Sequence, residues 1–386
     1  MQRTAMAAVC AAAALLVATG CSSGGGLLDP GGRGSTAPDT SAPASEAAPG
    51  PSAAPAKGSV TVTSTVTTGL GSPWSLAELP GGDALVSSRD KATILRVDAR
   101  SGKKTVVGSV PGVAPAGEGG LLGIALSPSY ATDHMVYAYF TTASDNRIAR
   151  MRYDETKPAG ERLGAPDTIL RGIPKAAMHN GGRIAFGPDR MLYAGTGDAT
   201  RKNLAQDKKS PAGKILRMTP EGQPAPGNPE ANSVVYSLGH RDVQGLAWDS
   251  GKRLWASEFG DHDWDELNLI EPGKNYGWPL VEGKAHKPGL VDPVVQWRPS
   301  EASPSGLAYA RGSLWMAALR GERLWRIPLA GRETSGAPQA FLTGKYGRLR
   351  AVLSLGGDRV WLLTSNTDGR GTPKPGDDRI LQLDVS

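Results

Sequence analysis

The stretch GRIAFGPDRMLYAGTGD, which runs from Gly182 to Asp198, decides the fold of this chain. It contains a short apolar strand, a Gly-Pro-Asp turn at residues 187–189 and a second apolar strand, which is the pattern of a β-hairpin. The same pattern recurs in segments that begin at Pro73, Gly120, Gln244, Ser305 and Leu349. A further strand candidate follows each copy, as KILRMTP does at residues 214–220, and no copy shows helical periodicity.

Repeats of about 40 to 60 residues with four strands each are typical of β-propeller blades. The six copies therefore predict an all-β fold, a six-bladed β-propeller with four-stranded antiparallel blades. A row of β-sandwich domains is the alternative, but it needs linkers between the copies. No gap after residue 70 has the composition of a linker.

The N-terminal residues 1–20 have the features of an export signal. Arg3 supplies a positive charge, and the apolar run that follows has about 13 residues, too few to span a bilayer as a helix. The run ends in Ala18-Thr19-Gly20-Cys21, which resembles the lipobox of bacterial lipoproteins. We expect Cys21 to be lipidated and the protein to be exported and anchored to the cell membrane on its extracytoplasmic side. An ordinary secretory signal with an incidental cysteine is the alternative.

Residues 21–58 are rich in Ser, Gly, Ala and Pro and contain no aromatic residue, so we interpret them as a disordered tether. The propeller is then expected at residues 59–386. The two cysteines, Cys10 and Cys21, both precede it, which excludes disulfides and thiolate metal sites from the folded domain. The net charge of +6 is dispersed, without the basic run of a nucleic-acid-binding arm. We expect a monomer that binds no nucleic acid and meets the membrane through its lipid only.

Strand direction predicts which loops share an end of the propeller. The loop before the first strand of a blade and the loop between its second and third strands open at one end, while the first hairpin turn lies at the other. Those hairpin turns have ordinary turn chemistry, such as Gly-Gly-Asp at 356–358. The loops at the first end instead supply a set of charged and titratable residues: Glu118, His179, Asp198, Arg241, Asp242, Arg320, Arg348 and Arg350. This end is the expected functional site.

These residues, in this order, resemble the pyrroloquinoline quinone (PQQ)-dependent sugar dehydrogenases, the glucose/sorbosone dehydrogenase family of six-bladed propellers. The resemblance covers nearly all of residues 70–386 and is carried by six segments: Gly117 to Gly123, His179 to Asp189, Gly197-Asp198, Leu238 to Arg241, Asp265 to Ile270 and Asn275 to Pro279. The chain lacks the long insertion of the soluble glucose dehydrogenases between blades 4 and 5. It is therefore more similar to the shorter aldose dehydrogenases.

The resemblance implies oxidation of the C1 hydroxyl of an aldose sugar to a lactone, by hydride transfer to PQQ. His179 would remove the hydroxyl proton, which suits an imidazole because it titrates near neutrality. Asp198 would orient His179, and Arg241 would stabilise negative charge on the quinone oxygen. Glu118 stands where the family has a polar sugar contact. The sugar and the electron acceptor remain unknown.

PQQ has three carboxylates, so its site needs fixed cations, and arginine suits them through its paired donors. Arg241, Arg320, Arg348 and Arg350 are the candidates, and Arg348 and Arg350 are interpreted as a basic pair without nearby acids. Asp242 follows Arg241 where the glucose dehydrogenases have Asn. A carboxylate at this cofactor-site position repels PQQ unless it pairs with an arginine or helps hold calcium, which are the two arrangements to be expected for it.

The family also binds calcium, here through the backbone carbonyls of Gly260 and Asp261 beside PQQ. Glu266 and the carbonyl of Tyr276 resemble its second, structural calcium site. An EF-hand is rejected, although acids alternate from residue 261 to 265, because Glu266 and Pro272 stand where that loop requires Gly and Glu. A solvated acidic loop without metal is the alternative.

Two other functions remain open. A propeller that binds a glycan or a protein without redox chemistry is favoured by Asp242, whose charge opposes an anionic cofactor. A calcium-dependent lactonase ranks last, because that chemistry needs metal-binding acids from several blades, and the acids here concentrate in one loop of blade 4.

Overall fold

The computed structural model describes residues 54–386, and within them it shows six antiparallel sheets. The innermost strand of each sheet contacts the innermost strand of the next, and the sixth contacts the first. The sheets therefore close into a ring. The prediction of an all-β, six-bladed propeller is confirmed.

The first strand of the chain, β1 (Val60–Thr67), belongs to the last blade, and the other strands follow the blades in order. From the channel outward, the strands of blades 1 to 3 are β2 (Pro73–Glu78), β3 (Ala84–Ser88), β4 (Thr93–Val97) and β5 (Lys104–Ser109); β6 (Leu121–Leu126), β7 (Met135–Thr141), β8 (Asn146–Arg152) and β9 (Asp167–Ile173); and β10 (Ile184–Phe186), β11 (Leu192–Gly195), β12 (Lys214–Met218) and β13 (Val235–Leu238).

Blade 4 has the same order, blade 5 differs in its outer edge, and the fourth strand of blade 6 is β1. Their strands are β14 (Val243–Trp248), β15 (Leu254–Glu258), β16 (Asp265–Ile270) and β17 (Val295–Trp297); β18 (Pro304–Ala310), β19 (Ser313–Ala318), β20 (Arg323–Ala330), β21 (Glu333–Thr334) and β22 (Gln339–Phe341); and β23 (Leu349–Ser354), β24 (Arg359–Thr364) and β25 (Ile380–Val385). In blade 5, β21 and β22 both pair with β20, so its fourth strand is split. Among residues 54–386 the helices are one turn each, α1 (Tyr130–Asp133) and a 3₁₀ turn at Lys202–Ala205.

Closure of the ring joins the two ends of the folded chain. β1 pairs antiparallel with β25, from Val60 opposite Val385 to Thr67 opposite Ile380, with two register shifts. The sequence repeats did not predict this exchange, because β1 belongs to none of the six copies.

The core is divided into six layers, one between each pair of neighbouring blades. Each inner strand packs against neighbours on both faces, so its side chains are buried on both sides of the sheet. This explains why β3 and β19 are buried at every position. It also explains why the inner strands show apolar runs instead of strict alternation.

The predicted signal, Cys21 and nearly all of the predicted tether lie outside the described residues. Between residues 54 and 386, no helix combines the length and the apolar character that crossing a membrane requires.

Candidate active site

Loops at one end of the propeller enclose a cavity of about 640 Å³, a size typical of small-molecule sites. Every blade contributes, through the loop before its first strand or the loop after its second, as strand direction predicted. Glu118 precedes β6, for example, and Arg320 follows β19. Most of the predicted site residues line the cavity: Glu118, His179, Asp198, Arg241, Asp242, Gly260, Asp261, Arg320, Arg348 and Arg350.

His179 and Asp198 form a hydrogen-bonded pair in the cavity wall. His179 Nδ1 lies 2.8 Å from Asp198 Oδ1, and Asp198 Oδ2 accepts a 2.9 Å hydrogen bond from Trp278 Nε1. Burial raises the pKa of Asp198, but the hydrogen bonds from His179 and Trp278 outweigh that effect and hold the pKa below its ordinary value. Asp198 is therefore ionised and holds a proton on Nδ1. Nε2 of His179 has no hydrogen-bond partner among residues 54–386 and is free to accept a proton.

The backbone of His179 is held in an uncommon conformation. Its φ of 57° is left-handed, and its N–H donates to Glu118 Oε2 at 2.9 Å. Glu118 is itself fixed by Arg370 Nη2, 2.7 Å from its Oε1. Gly197 is required beside this turn, since a Cβ atom there would lie 1.8 Å from the carbonyl oxygen of His179. The glutamate expected to contact the sugar thus also orients the histidine.

The pKa of His179 is raised above its ordinary value. Burial lowers it, but the hydrogen bond with Asp198 and the nearby charge of Asp242 together outweigh burial. The imidazole therefore becomes a stronger base than a free histidine.

Arg241 bridges the cavity wall and the loop after β15. Its Nη2 lies 3.0 Å from Asp261 Oδ1, and its guanidinium lies 5.4 Å from the ring centroid of Trp278. Its Nε is buried without a hydrogen-bond partner in the described chain. Asp261 also accepts a 2.7 Å bond from Lys202, so its carboxylate is held by two cations and only its carbonyl is left for a metal.

The expectation that Arg348 and Arg350 have no nearby acid is wrong. Asp368, after β24, accepts from Arg348 Nη2 at 2.9 Å and from Arg350 Nη2 at 3.2 Å, and all three side chains are nearly buried. Burial lowers the pKa of Arg350 to about 10, even with the charge of Asp368 beside it. One carboxylate shared by two guanidiniums leaves a net positive charge. Arg320, by contrast, is exposed and forms no ion pair within residues 54–386.

Asp242 is buried and forms no ion pair with an arginine in the described chain, which corrects one of the two expectations for it. It accepts the backbone N–H of Gly181 at 2.7 Å and the side-chain amide of Gln244 at 3.1 Å. Burial and the charge of Glu118 raise its pKa to about 6. Through its hydrogen bond with Gly181, Asp242 therefore stabilises the turn that contains His179.

Gly260 and Asp261, in the loop after β15, line the cavity. Neither carbonyl oxygen accepts a hydrogen bond from the described residues, which fits two oxygen ligands for a hard cation. The alternating acids do not converge as in an EF-hand: Asp263 pairs with Arg298 at 3.1 Å, and Asp265 accepts the backbone amides of Gly260 and Ser303.

Glu266 and Tyr276 lie outside the cavity lining. Glu266 faces Glu258 across neighbouring strands, and burial together with the charge of Glu258 raises its pKa to about 8. Asn268 donates from Nδ2 to both glutamates, and its Oδ1 is buried without a partner in the described chain. Two buried carboxyl groups and an unsatisfied amide oxygen fit a cation. His240 is buried here too, 2.8 Å from Glu258 and stacked on Tyr276.

Sequence reasoning missed several residues that line the cavity or contact its lining. Arg89 follows β3, in the loop of blade 1 that corresponds to the loop of Asp198 in blade 3, so the repeat could have revealed it. Trp278 lies in a segment that carried the family resemblance, but its bond to Asp198 spans 80 residues of sequence. Lys202, Asp368 and Arg370 lie in loops after second strands, which strand direction assigned to this end, but the sequence analysis did not single them out; Gln244 lies within β14.

Comparison with known proteins extends these findings. The model of the family "Glucose / Sorbosone dehydrogenase" matches residues 70–373. The solved PQQ-bound aldose sugar dehydrogenase of Streptomyces coelicolor is similar, with 70% identity and a TM-score of 0.86, over 86% of this chain and 100% of that one. Aldose sugar dehydrogenase YliI of Escherichia coli is 28% identical over 77% of this chain and 88% of its own length. Quinoprotein glucose dehydrogenase B of Acinetobacter calcoaceticus is 33% identical over 55% of this chain, a match that spans 51% of that protein.

Proposed function

The chain belongs to the glucose/sorbosone dehydrogenase family, and from that membership and its site we propose that it is a PQQ-dependent aldose dehydrogenase. It oxidises the C1 hydroxyl of aldose sugars to lactones, requires calcium, and acts outside the cytoplasm. The observation that carries the proposal is the His179–Asp198 pair in a cavity walled by arginines.

The residues that line the cavity fit an anionic cofactor such as PQQ. Arg241, Arg320, Arg348 and Arg350 would hold the carboxylates of PQQ, with Arg89 and Lys202 in the same wall. Arg241 has an unsatisfied buried Nε, a donor of the kind that an anion completes. When bound, PQQ supplies a quinone that accepts two electrons as hydride from the sugar C1.

The protein supplies the proton transfer and the orientation. His179 Nε2 accepts the proton of the C1 hydroxyl, while Asp198 keeps the other ring nitrogen protonated and stabilises the imidazolium that forms. Glu118 lies beside His179 and is placed to accept a sugar hydroxyl hydrogen bond. Arg241 contributes positive charge where negative charge develops during the transfer.

The proposal includes calcium because two sets of oxygen atoms have the chemistry of calcium ligands. The free carbonyls of Gly260 and Asp261 would hold one ion against the cofactor. Glu266, with the carbonyl of Tyr276, would hold a second, which would relieve the repulsion between Glu266 and Glu258. Export and lipidation at Cys21 rest on the N-terminal sequence alone.

The test mixes purified protein, freed of cofactor, with PQQ and calcium and follows reduction of a redox dye by aldoses. We expect reduction by several aldoses and a loss of about 10²–10⁴-fold in kcat for His179→Ala. The matched control is His286→Ala, because His286 pairs with Asp292 at 2.6 Å but is 84% exposed and lies outside the cavity. No dye reduction with any aldose refutes the enzyme; if PQQ does not bind either, the binding-protein alternative gains support.

A further inference from the structure

One carboxylate oxygen organises the loop that borders the cavity in blade 4. Oε1 of Glu282 accepts four consecutive backbone N–H groups, from Asp261 at 2.6 Å and from His262, Asp263 and Trp264 at 3.0 Å each. No other side-chain atom in the described chain accepts as many backbone hydrogen bonds. Four donors on a single anion are the strongest local constraint on this loop.

The direction of these N–H groups sets the direction of the carbonyls. In a trans peptide unit the C=O points opposite to the N–H of the same unit. The carbonyls of residues 260–263 therefore point away from Glu282. Three of them, those of residues 260–262, accept no hydrogen bond from residues 54–386, and of these residues Gly260 and Asp261 line the cavity.

The residue after Glu282 reaches the second acidic site. The N–H of Gly283 donates to Glu266 Oε1 at 2.7 Å. Glu282 therefore contacts the loop of Gly260 and Asp261, and the next residue contacts Glu266 of the second proposed cation site. Without Glu282, four N–H groups of the loop would lose their acceptor. Satisfying them would need water or a different loop conformation, and either would release the carbonyls from their present orientation.

We propose that Glu282 is a positioning residue that prepares the carbonyls of Gly260 and Asp261 for a cation beside the cofactor. The inference rests on the proposed function, because it assigns a use to carbonyls that would hold calcium there. Glu282 itself binds neither calcium nor PQQ. It acts as the partner that orients a ligand, and loss of such partners in metal sites costs about 10–100-fold in affinity.

The experiment compares the full chain with Glu282→Ala and Glu282→Gln. Asp292→Ala is the matched control, since Asp292 also accepts consecutive backbone amides, those of Ala285 and His286, in a loop of the same blade outside the cavity. Circular dichroism and thermal unfolding establish that each variant folds. Hydrogen exchange in the absence of PQQ should show amides 261–264 exchanging at least about tenfold faster in Glu282→Ala, because exchange reports local opening, and unchanged in Asp292→Ala.

Calorimetric titration with calcium and absorbance titration with PQQ then test the consequence. We expect Glu282→Ala to weaken calcium-dependent PQQ binding about 10–100-fold, Glu282→Gln to recover part of that loss by keeping one acceptor oxygen, and KM for the aldose to stay unchanged. The inference is overturned if Glu282→Ala leaves amide exchange or calcium-dependent PQQ affinity unchanged, or if Glu282→Ala and Glu282→Gln lose affinity equally. None of these outcomes contradicts the proposed dehydrogenase activity. An unmodified chain that binds no PQQ instead refutes the proposed function, and this inference fails with it.

Discussion

Replacing Asp198 with Asn tests the catalytic pair most directly. The variant keeps the size of the side chain but removes the charge that holds His179 Nδ1, and Asp198 has no exposed surface through which water could substitute for it. A hydrogen bond to a charged group contributes about 1.5–3 kcal/mol, and each 1.4 kcal/mol is about tenfold in rate. We therefore expect kcat to fall about 10–150-fold.

The pH profile distinguishes catalysis from simple misfolding. His179 must be neutral to accept a proton, and its pKa is raised partly by Asp198, so activity in the unmodified enzyme falls as pH drops through that raised value. Without the charge of Asp198 the pKa of His179 decreases, so the acid limb of the kcat–pH profile moves to lower pH while its plateau falls. The assay is steady-state dye reduction across pH at saturating aldose, PQQ and calcium.

The control for this prediction is Asp292→Asn, which alters an exposed histidine–aspartate pair outside the cavity. It should change neither the plateau nor the limb. An Asp198→Asn enzyme with an unchanged kcat, or with a reduced kcat whose acid limb has not moved, would refute the assignment of His179 as the base supported by Asp198.

Three further predictions follow from the charges around the cavity. Asp242→Asn should raise the thermal midpoint at pH 7–8, because burial raises the pKa of Asp242 in the folded state to about 6. The unmodified protein therefore loses stability as pH rises from the pKa of an unfolded aspartate through about 6, and the variant does not; below about pH 3 the two proteins should unfold alike. Arg320→Ala should weaken PQQ binding about 10-fold or more without changing thermal stability, since Arg320 forms no ion pair in the described chain; equal PQQ affinity would remove it from the site. Chelating calcium should lower the thermal midpoint of the unmodified protein more than that of Glu266→Gln, because removal of the ion leaves Glu266 facing Glu258; equal losses would refute calcium binding there.

The repeat predicted the fold and the functional end because both follow from local pattern. Strand direction alone placed Glu118, His179 and Arg320 in loops of one end, where the structure has its cavity. The pairing of His179 with Asp198 was expected from resemblance and agrees with the geometry. Such features depend on position within a blade, which the sequence displays.

What the sequence could not predict depends on contacts between distant segments. Asp368, in the loop after β24, neutralises part of the Arg348–Arg350 charge across 20 and 18 residues of sequence. Glu282 stands 21 residues beyond Asp261, the first amide that it accepts. Neither interaction leaves a period or a motif, because each is specified by three-dimensional proximity and not by spacing along one strand.

The pairing of β1 with β25 in the last blade affects how the protein folds during synthesis. Synthesis proceeds from the N-terminus, so β1 has no pairing partner until β25 is made, and Ser59 and Ser386, which hydrogen-bond to each other, are 327 residues apart. Contacts of such long range delay folding and leave a strand edge open to wrong partners. β1 reads Val-Thr-Val-Thr-Ser-Thr-Val-Thr, and most of it stays at least partly exposed even in the finished ring. Its hydroxyl side chains keep β1 hydrophilic until β25 is made and pairs with it.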